Sequence, residues 1–130
     1  VLIAPVHYDI PSSIRLADAI QYPFIWRETG SATRRTFEQA ALRSGFEKDE
    51  FEVAALVDDM DTMIRSVEAG LGVAIISEKV ASALGSRVTV TEIEDFKEDR
   101  TFFMINLKST SFSPAAEAFN AYVKANAKSQ

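Results

Sequence analysis

The sequence predicts an α/β domain, a mostly parallel sheet with helices on both faces. Three observations lead there. Short apolar runs alternate with stretches of helical periodicity along most of the chain. Residues 73–76, Val-Ala-Ile-Ile, are continuously hydrophobic, the pattern of a strand buried on both sides. Between the runs stand Ser, Asp and Gly, where helices need caps and stops.

Taken in order, residues 1–4 (Val-Leu-Ile-Ala) read as a buried strand already under way, with no Met and no polar lead-in. The simplest reading of that opening is a segment of a longer protein. A secretory signal would show a cationic start, a longer apolar stretch and a small-residue cleavage site, and none stands here. Residues 7–13 form a linker, and residues 14–20 suit a short helix with Ser13 as N-cap. Residues 23–26 are an apolar strand. Helical periodicity then runs over residues 32–44, with Phe37, Ala40, Ala41 and Leu42 inward and Gly45 just beyond the end. Residues 51–57 are a second strand of this part. Asp59 or Asp61 can cap a helix in which Met63, Ile64 and Val67 share a face, ending at Gly70.

After the buried strand, Ser77 can cap a helix reaching Leu84, where Gly85 stops it. Residues 88–93 are a strand with Thr and Glu on its other face. Residues 96–99 form a turn, and residues 101–107 a longer strand. Ser113-Pro114 is an N-cap followed by Pro in the first helical position. Ala115, Ala118, Phe119, Tyr122 and Val123 then give the last helix one mainly apolar stripe.

Composition narrows the function. The chain has 130 residues, 47% hydrophobic and 25% charged, which suits one globular domain rather than a disordered segment. Its apolar runs fall well short of the ~18–20 residues that a membrane span needs. There is no Cys, so disulfides, zinc thiolates and thiol catalysis are excluded. With 14 Lys and Arg against 19 Asp and Glu, a net charge of −5 gives no general attraction for a phosphate backbone.

Two strand-to-helix junctions carry the candidate chemistry. In residues 27–33, a strand ends, Gly30 frees the backbone, and Ser31 and Thr33 stand where a helix begins. Backbone N–H groups, hydroxyls and a helix N-terminus favour a carboxylate, sulfate or phosphate there. The alternative is that Ser31 only caps its own helix. In residues 57–62, Asp58, Asp59 and Asp61 could suggest a hard metal, but the spacing lacks the Gly and distal Glu of a calcium loop. Asp at a helix start is more simply dipole complementarity. Both junctions follow strands at their carboxyl ends, where open α/β sheets place ligands, so the two could face one cleft. No Gly-Lys-Ser phosphate loop is present, and Gly70 and Gly72 follow a helix, the reverse of a dinucleotide fingerprint. His7 is the only histidine and sits in a linker, which argues against a catalytic triad. Arg34 and Arg35 read as a solvated helix face or as guards of a ligand or subunit contact. The aromatic residues read as core.

These residues, in order, resemble a known family. Ser-Ile-Arg-Leu-Ala-Asp (13–18), Tyr-Pro-Phe-Ile (22–25) and Arg-Glu-Thr-Gly-Ser-Ala-Thr-Arg (27–34) are followed by Val-Glu-Ala-Gly-Leu-Gly-Val-Ala-Ile-Ile-Ser (67–77) and Ser-Pro-Ala-Ala-Glu-Ala-Phe (113–119). The series resembles the effector-binding domain of LysR-type transcriptional regulators. The resemblance implies a type II periplasmic-binding-protein-like fold, with an effector cleft between two α/β subdomains. Residues of about 12–95 would form the second subdomain. Residues 1–11 and 96–130 would be crossover and C-terminal segments pairing with the first. It further implies effector contacts from Thr29, Gly30 and Ser31 and from Val57, Asp58 and Asp59. The expected partners are a small-molecule effector, a second copy of the chain, and DNA only through a helix-turn-helix domain outside this stretch. No cofactor, metal, catalysis or membrane contact is expected, and the location is cytoplasmic. Lack of Cys argues against the peroxide-sensing branch. A transport solute-binding protein of the same fold is the alternative.

Overall fold

Side chains along the first strand, β1 (Leu2–Ala4), alternate between two cores. Leu2 and Ala4 join one, Ile3 the other, and all three are fully buried. A computed structural model describes residues 1–98, 103–107 and 111–126. The chain divides into two compact units, Val1–Asp99 and Arg100–Gln130.

In the first unit, β1 is central. It pairs antiparallel with β5 (Ala74–Ile75) on one side and with β6 (Thr89–Ile93) on the other. Beyond β6 lies β2 (Ser13–Ile14), parallel to it, giving the order β2-β6-β1-β5. A second, two-stranded sheet pairs β3 (Phe24–Arg27) in parallel with β4 (Val53–Val57). It meets the first sheet at Phe24 and Val73, where Ile25 N–H donates to Val73 O and Val73 N–H to Pro23 O, both at 2.8 Å. The larger sheet is therefore mixed, and the expectation of a mostly parallel sheet is corrected at β1. A continuous apolar run reports burial on both faces and carries no information on direction.

Helices cover both faces, as expected. On one side, α1 (Leu16–Ala19) and α2 (Ala32–Arg43) bury Leu16, Ala19, Phe37 and Ala41 against Phe24, Trp26 and Phe51. The rings of Phe24, Trp26, Phe37 and Phe51 lie 5.3–6.2 Å apart, mostly edge to face, which favours the ring quadrupoles. On the other side, α3 (Met60–Glu68) and α4 (Glu78–Ala81) bury Met63, Ile64, Val67 and Ala81 against Ile3, Ile25 and Ile76.

Several local expectations change. Residues 14–20 are not one helix: Ser13 and Ile14 pair with β6, and the helix is a single turn. The Ser13 hydroxyl donates to Glu94 Oε1 (2.8 Å) instead of capping, and Leu16 N–H is capped from afar by Asp95 Oδ1 (2.8 Å). That cap lies 79 residues away, outside any local pattern. Leu42 is 62% exposed rather than inward. The helix after Ser77 ends at Ala81, followed by a 3₁₀ turn over Gly85–Arg87. Residues 103–107 of the expected strand 101–107 form none, and residues 101 and 102 lie outside those described. A strand needs a ladder partner, and among the described residues these five have none.

Gly72 explains a tight passage. Its φ is +156°, and a Cβ there would lie 2.2 Å from Pro23 O, so the backbone just before β3 comes against it directly. The second unit contains α5 (Pro114–Asn126), begun as expected by Ser113, whose Oγ accepts from Ala116 N–H at 3.3 Å.

Candidate functional site

The last residues of β3 and β4 are ladder partners, Arg27 with Val57, so the two junctions that follow emerge side by side. Glu28 N–H extends the pairing by donating to Val57 O at 3.0 Å. The structure thus brings Thr29, Gly30 and Ser31 next to Val57, Asp58 and Asp59. Thr29, Gly30, Asp58 and Asp59 are exposed, while Ser31 and Val57 are half-buried.

Each junction ends in a capped helix. Ser31 closes a turn by donating its N–H to Glu28 O (3.0 Å), and its Oγ accepts from Arg34 N–H (3.4 Å) at the start of α2. Asp59 Oδ1 accepts from Thr62 N–H (2.8 Å) at the start of α3. Gly30 has no left-handed φ, and a Cβ added there would meet nothing nearer than the Glu28 side chain at 3.9 Å. Neither its conformational freedom nor its small size is required by the backbone at this exposed turn.

The charges are largely committed. A hydrogen bond from Arg27 holds the Glu28 carboxyl below its ordinary value, and the Thr62 cap does the same for Asp59. Asp61 pairs with Arg65 four residues on at 2.7 Å. Asp59 and Asp61 therefore serve α3 itself, and among the described residues no acidic or histidine cluster could hold a metal. His7 is exposed beside Tyr8, whose hydroxyl donates to the Gly70 carbonyl 62 residues further along the chain.

Two residues do more than the sequence reading gave them. Arg34 is no solvated face: its side chain is 15% exposed, paired with Glu38 at 2.8 Å, and its Nη1 donates to Arg27 O at 2.6 Å. Arg27 donates to both Glu28 oxygens (2.9 and 3.2 Å) and to Asp58 O (2.9 Å). The Arg34–Glu38 spacing of four was legible on the helix. Nothing in sequence signalled the Arg27 contact. Both arginines line a narrow cleft with Trp26, Thr33 and Met60, and a separate, shallower hollow is lined by Glu28, Leu56, Val57, Asp58 and Thr62.

The family model of the LysR substrate binding domain matches residues 1–128. The chain belongs to that family. Among curated proteins, this LysR substrate binding domain is 28% identical over 137 residues to the RuBisCO operon transcriptional regulator of Allochromatium vinosum, covering 98% of the chain and 42% of that protein. It spans less than half the length of the curated relatives it matches. Among solved structures, the regulatory domain of Synechocystis PCC6803 CcmR in complex with 2-PG aligns with a TM-score of 0.82 at 23% identity, over 100% of this chain and 63% of that one. The effector binding domain of QuiR in complex with shikimate aligns with a TM-score of 0.77 at 22% identity, over 96% of this chain and 61% of that one. The LysR effector-binding fold, periplasmic-binding-protein-like and mixed α/β, is thereby shown. Among the described residues no helix is long and apolar enough to cross a membrane.

Proposed function

We propose that this LysR substrate binding domain senses a small polar metabolite at the paired junctions and controls DNA binding or transcription through a helix-turn-helix domain outside this stretch. Residues of about 12–95 act as the second subdomain, with 1–11 and 96–130 as crossover and return segments. Thr29, Gly30 and Ser31 form one half of the effector wall, and Val57, Asp58 and Asp59 the other. The observation that carries this reading is the emergence of both junctions from paired strand ends, with Thr33 of α2 and Met60 of α3 lining one cleft. Since Glu28 binds Arg27 and Asp59 caps α3, the wall opposes an anion less than its carboxylate count suggests. The action is binding without catalysis, in the cytoplasm: the relatives from Allochromatium vinosum and Xanthobacter flavus are named as regulators, and no Cys and a single exposed His leave little for chemistry.

Amide chemical shifts recorded while small carboxylates and polyols are titrated test the site. A ligand of this wall moves Thr29, Gly30, Ser31, Asp58 and Asp59 together; a binder that moves only other residues overturns the assignment. Sequence upstream of Val1 decides between a regulator, which has a basic helix-turn-helix, and a transport protein, which has an export signal.

The domain also self-associates with a second copy. Supporting this are Leu42 and Leu56, 62% and 65% exposed, and the apolar Phe119 and Tyr122 of α5. Light scattering of the Leu56→Asp and Phe119→Asp variants should show dissociation, and a monomer for the unsubstituted chain at high concentration would sink the idea.

A further inference from the structure

The ladder between β3 and β4 stops at Glu28 N–H and Val57 O, yet the segments beyond it remain tied. The tie is one side chain. Arg27 is 18% exposed, its Nε and Nη2 take the two Glu28 oxygens, and Nη2 also reaches the Asp58 carbonyl across the gap. Its own backbone is anchored from a third element. The Arg27 carbonyl points away from β4, because the next N–H points toward it, and it accepts from Arg34 Nη1. Arg34 is in turn held by Glu38, which Lys48 also grips at 2.9 Å. One continuous set of charge-assisted bonds therefore runs from α2 through the end of β3 to the loop before α3.

We propose that Arg27 is the positioning residue of the effector wall: its guanidinium sets the separation of the β3–α2 and β4–α3 junctions. This rests on the reading of those junctions as the effector site. A planar guanidinium offers donors in fixed directions, so it can hold a carboxylate and a carbonyl at once and transmit their spacing. A lysine ammonium is a single point of charge on a flexible stem and can replace only one of the two contacts. An ion pair with Glu28 alone would be an ordinary surface feature; the bond to Asp58 O makes Arg27 a bridge.

The test compares Arg27→Met and Arg27→Lys with the unsubstituted chain, without ligand, by amide hydrogen exchange and by titration of the Glu28 carboxyl. In Arg27→Met, exchange at Thr62 and Met63, across the gap, should quicken about tenfold, the equivalent of one lost charge-assisted hydrogen bond. Ile25 N–H in the core should keep its rate, and Glu28 should titrate closer to an ordinary glutamate. Arg27→Lys should restore the Glu28 titration and leave Thr62 and Met63 fast. If Thr62 and Met63 keep their rates while Glu28 shifts, Arg27 is an ion pair only and the inference fails. It also fails if Ile25 quickens equally. A reporter driven by a full-length regulator carrying this domain separates the two readings. Lost response in Arg27→Met at unchanged protein level supports both, and retained response with fast Thr62 exchange overturns the site reading while the bridge stands.

Discussion

The Arg34 guanidinium lies 4.8 Å from the centre of the Trp26 ring, over its face. This contact joins the first turn of α2 to β3 and covers an indole whose Nε1 is buried without a hydrogen-bond partner. Arg34→Ala removes the stacked cation, its bond to Arg27 O and its pairing with Glu38, so unfolding free energy should drop by roughly 2 kcal/mol. The neighbouring Arg35→Ala, at an exposed position, should stay within about 0.5 kcal/mol. Urea unfolding of both variants checks this; equal effects would return Arg34 to the solvent-facing role its sequence suggests.

Ser31→Ala removes the cap of α2 and should lower stability by about 1 kcal/mol. A cap alone predicts a lower melting temperature with effector response intact. Contact with effector predicts a response lost beyond that shift, read as transcription by the full-length regulator.

The glycines should separate sharply. Gly72→Ala forces a methyl to within 2.2 Å of Pro23 O at a φ of +156°, and should cost upwards of about 3 kcal/mol or prevent folding. Gly30→Ala meets nothing closer than 3.9 Å, and should be neutral or stabilise by about 0.5 kcal/mol. Thermal melts of the pair decide it, and a damaging Gly30→Ala would show a strain the backbone does not display.

Acid should loosen the Glu38 hub. Burial pushes the Glu38 carboxyl up, but hydrogen bonds and charges from Arg34 and Lys48 outweigh it, leaving the folded value below that of an ordinary glutamate. A lowered folded value contributes stability above the unfolded one and loses it as pH falls through the folded one. The stability gap between the unsubstituted chain and Glu38→Gln should therefore be constant near neutrality and shrink below about pH 4.5. Denaturant melts at several pH values measure it, and a gap independent of pH would mean Glu38 contributes through packing alone.

Much of this architecture was legible because its signals are local. Phe37, Ala40 and Ala41 repeat at helical spacing, and Ser31, Asp59 and Ser113 cap the helices their positions announce. Direction was not legible, since Leu2-Ile3-Ala4 would look the same in a parallel strand. Nor was the α1 start, because Asp95 supplies its cap from the far end of β6. At the candidate site, the two junctions could be named from Gly30, Ser31 and the aspartates. Their connection could not, since Arg27 reaches Asp58 O through pairing of strands 31 residues apart.

The outer edge of β4 bears on how the protein behaves in bulk. Val53–Val57 is an uninterrupted apolar run that, among the described residues, has a ladder partner on one side only. Such a run is a template for cross-β stacking. Glu50 and Glu52 precede it and Asp58 and Asp59 follow it. In an in-register stack, each carboxylate would sit about 4.8 Å above its own copy, so the acids that frame the junctions also act as gatekeepers against fibril growth. Exchanging Asp58 for an amide would weaken that repulsion, and so any retuning of the wall toward a more anionic metabolite is bounded by colloidal stability.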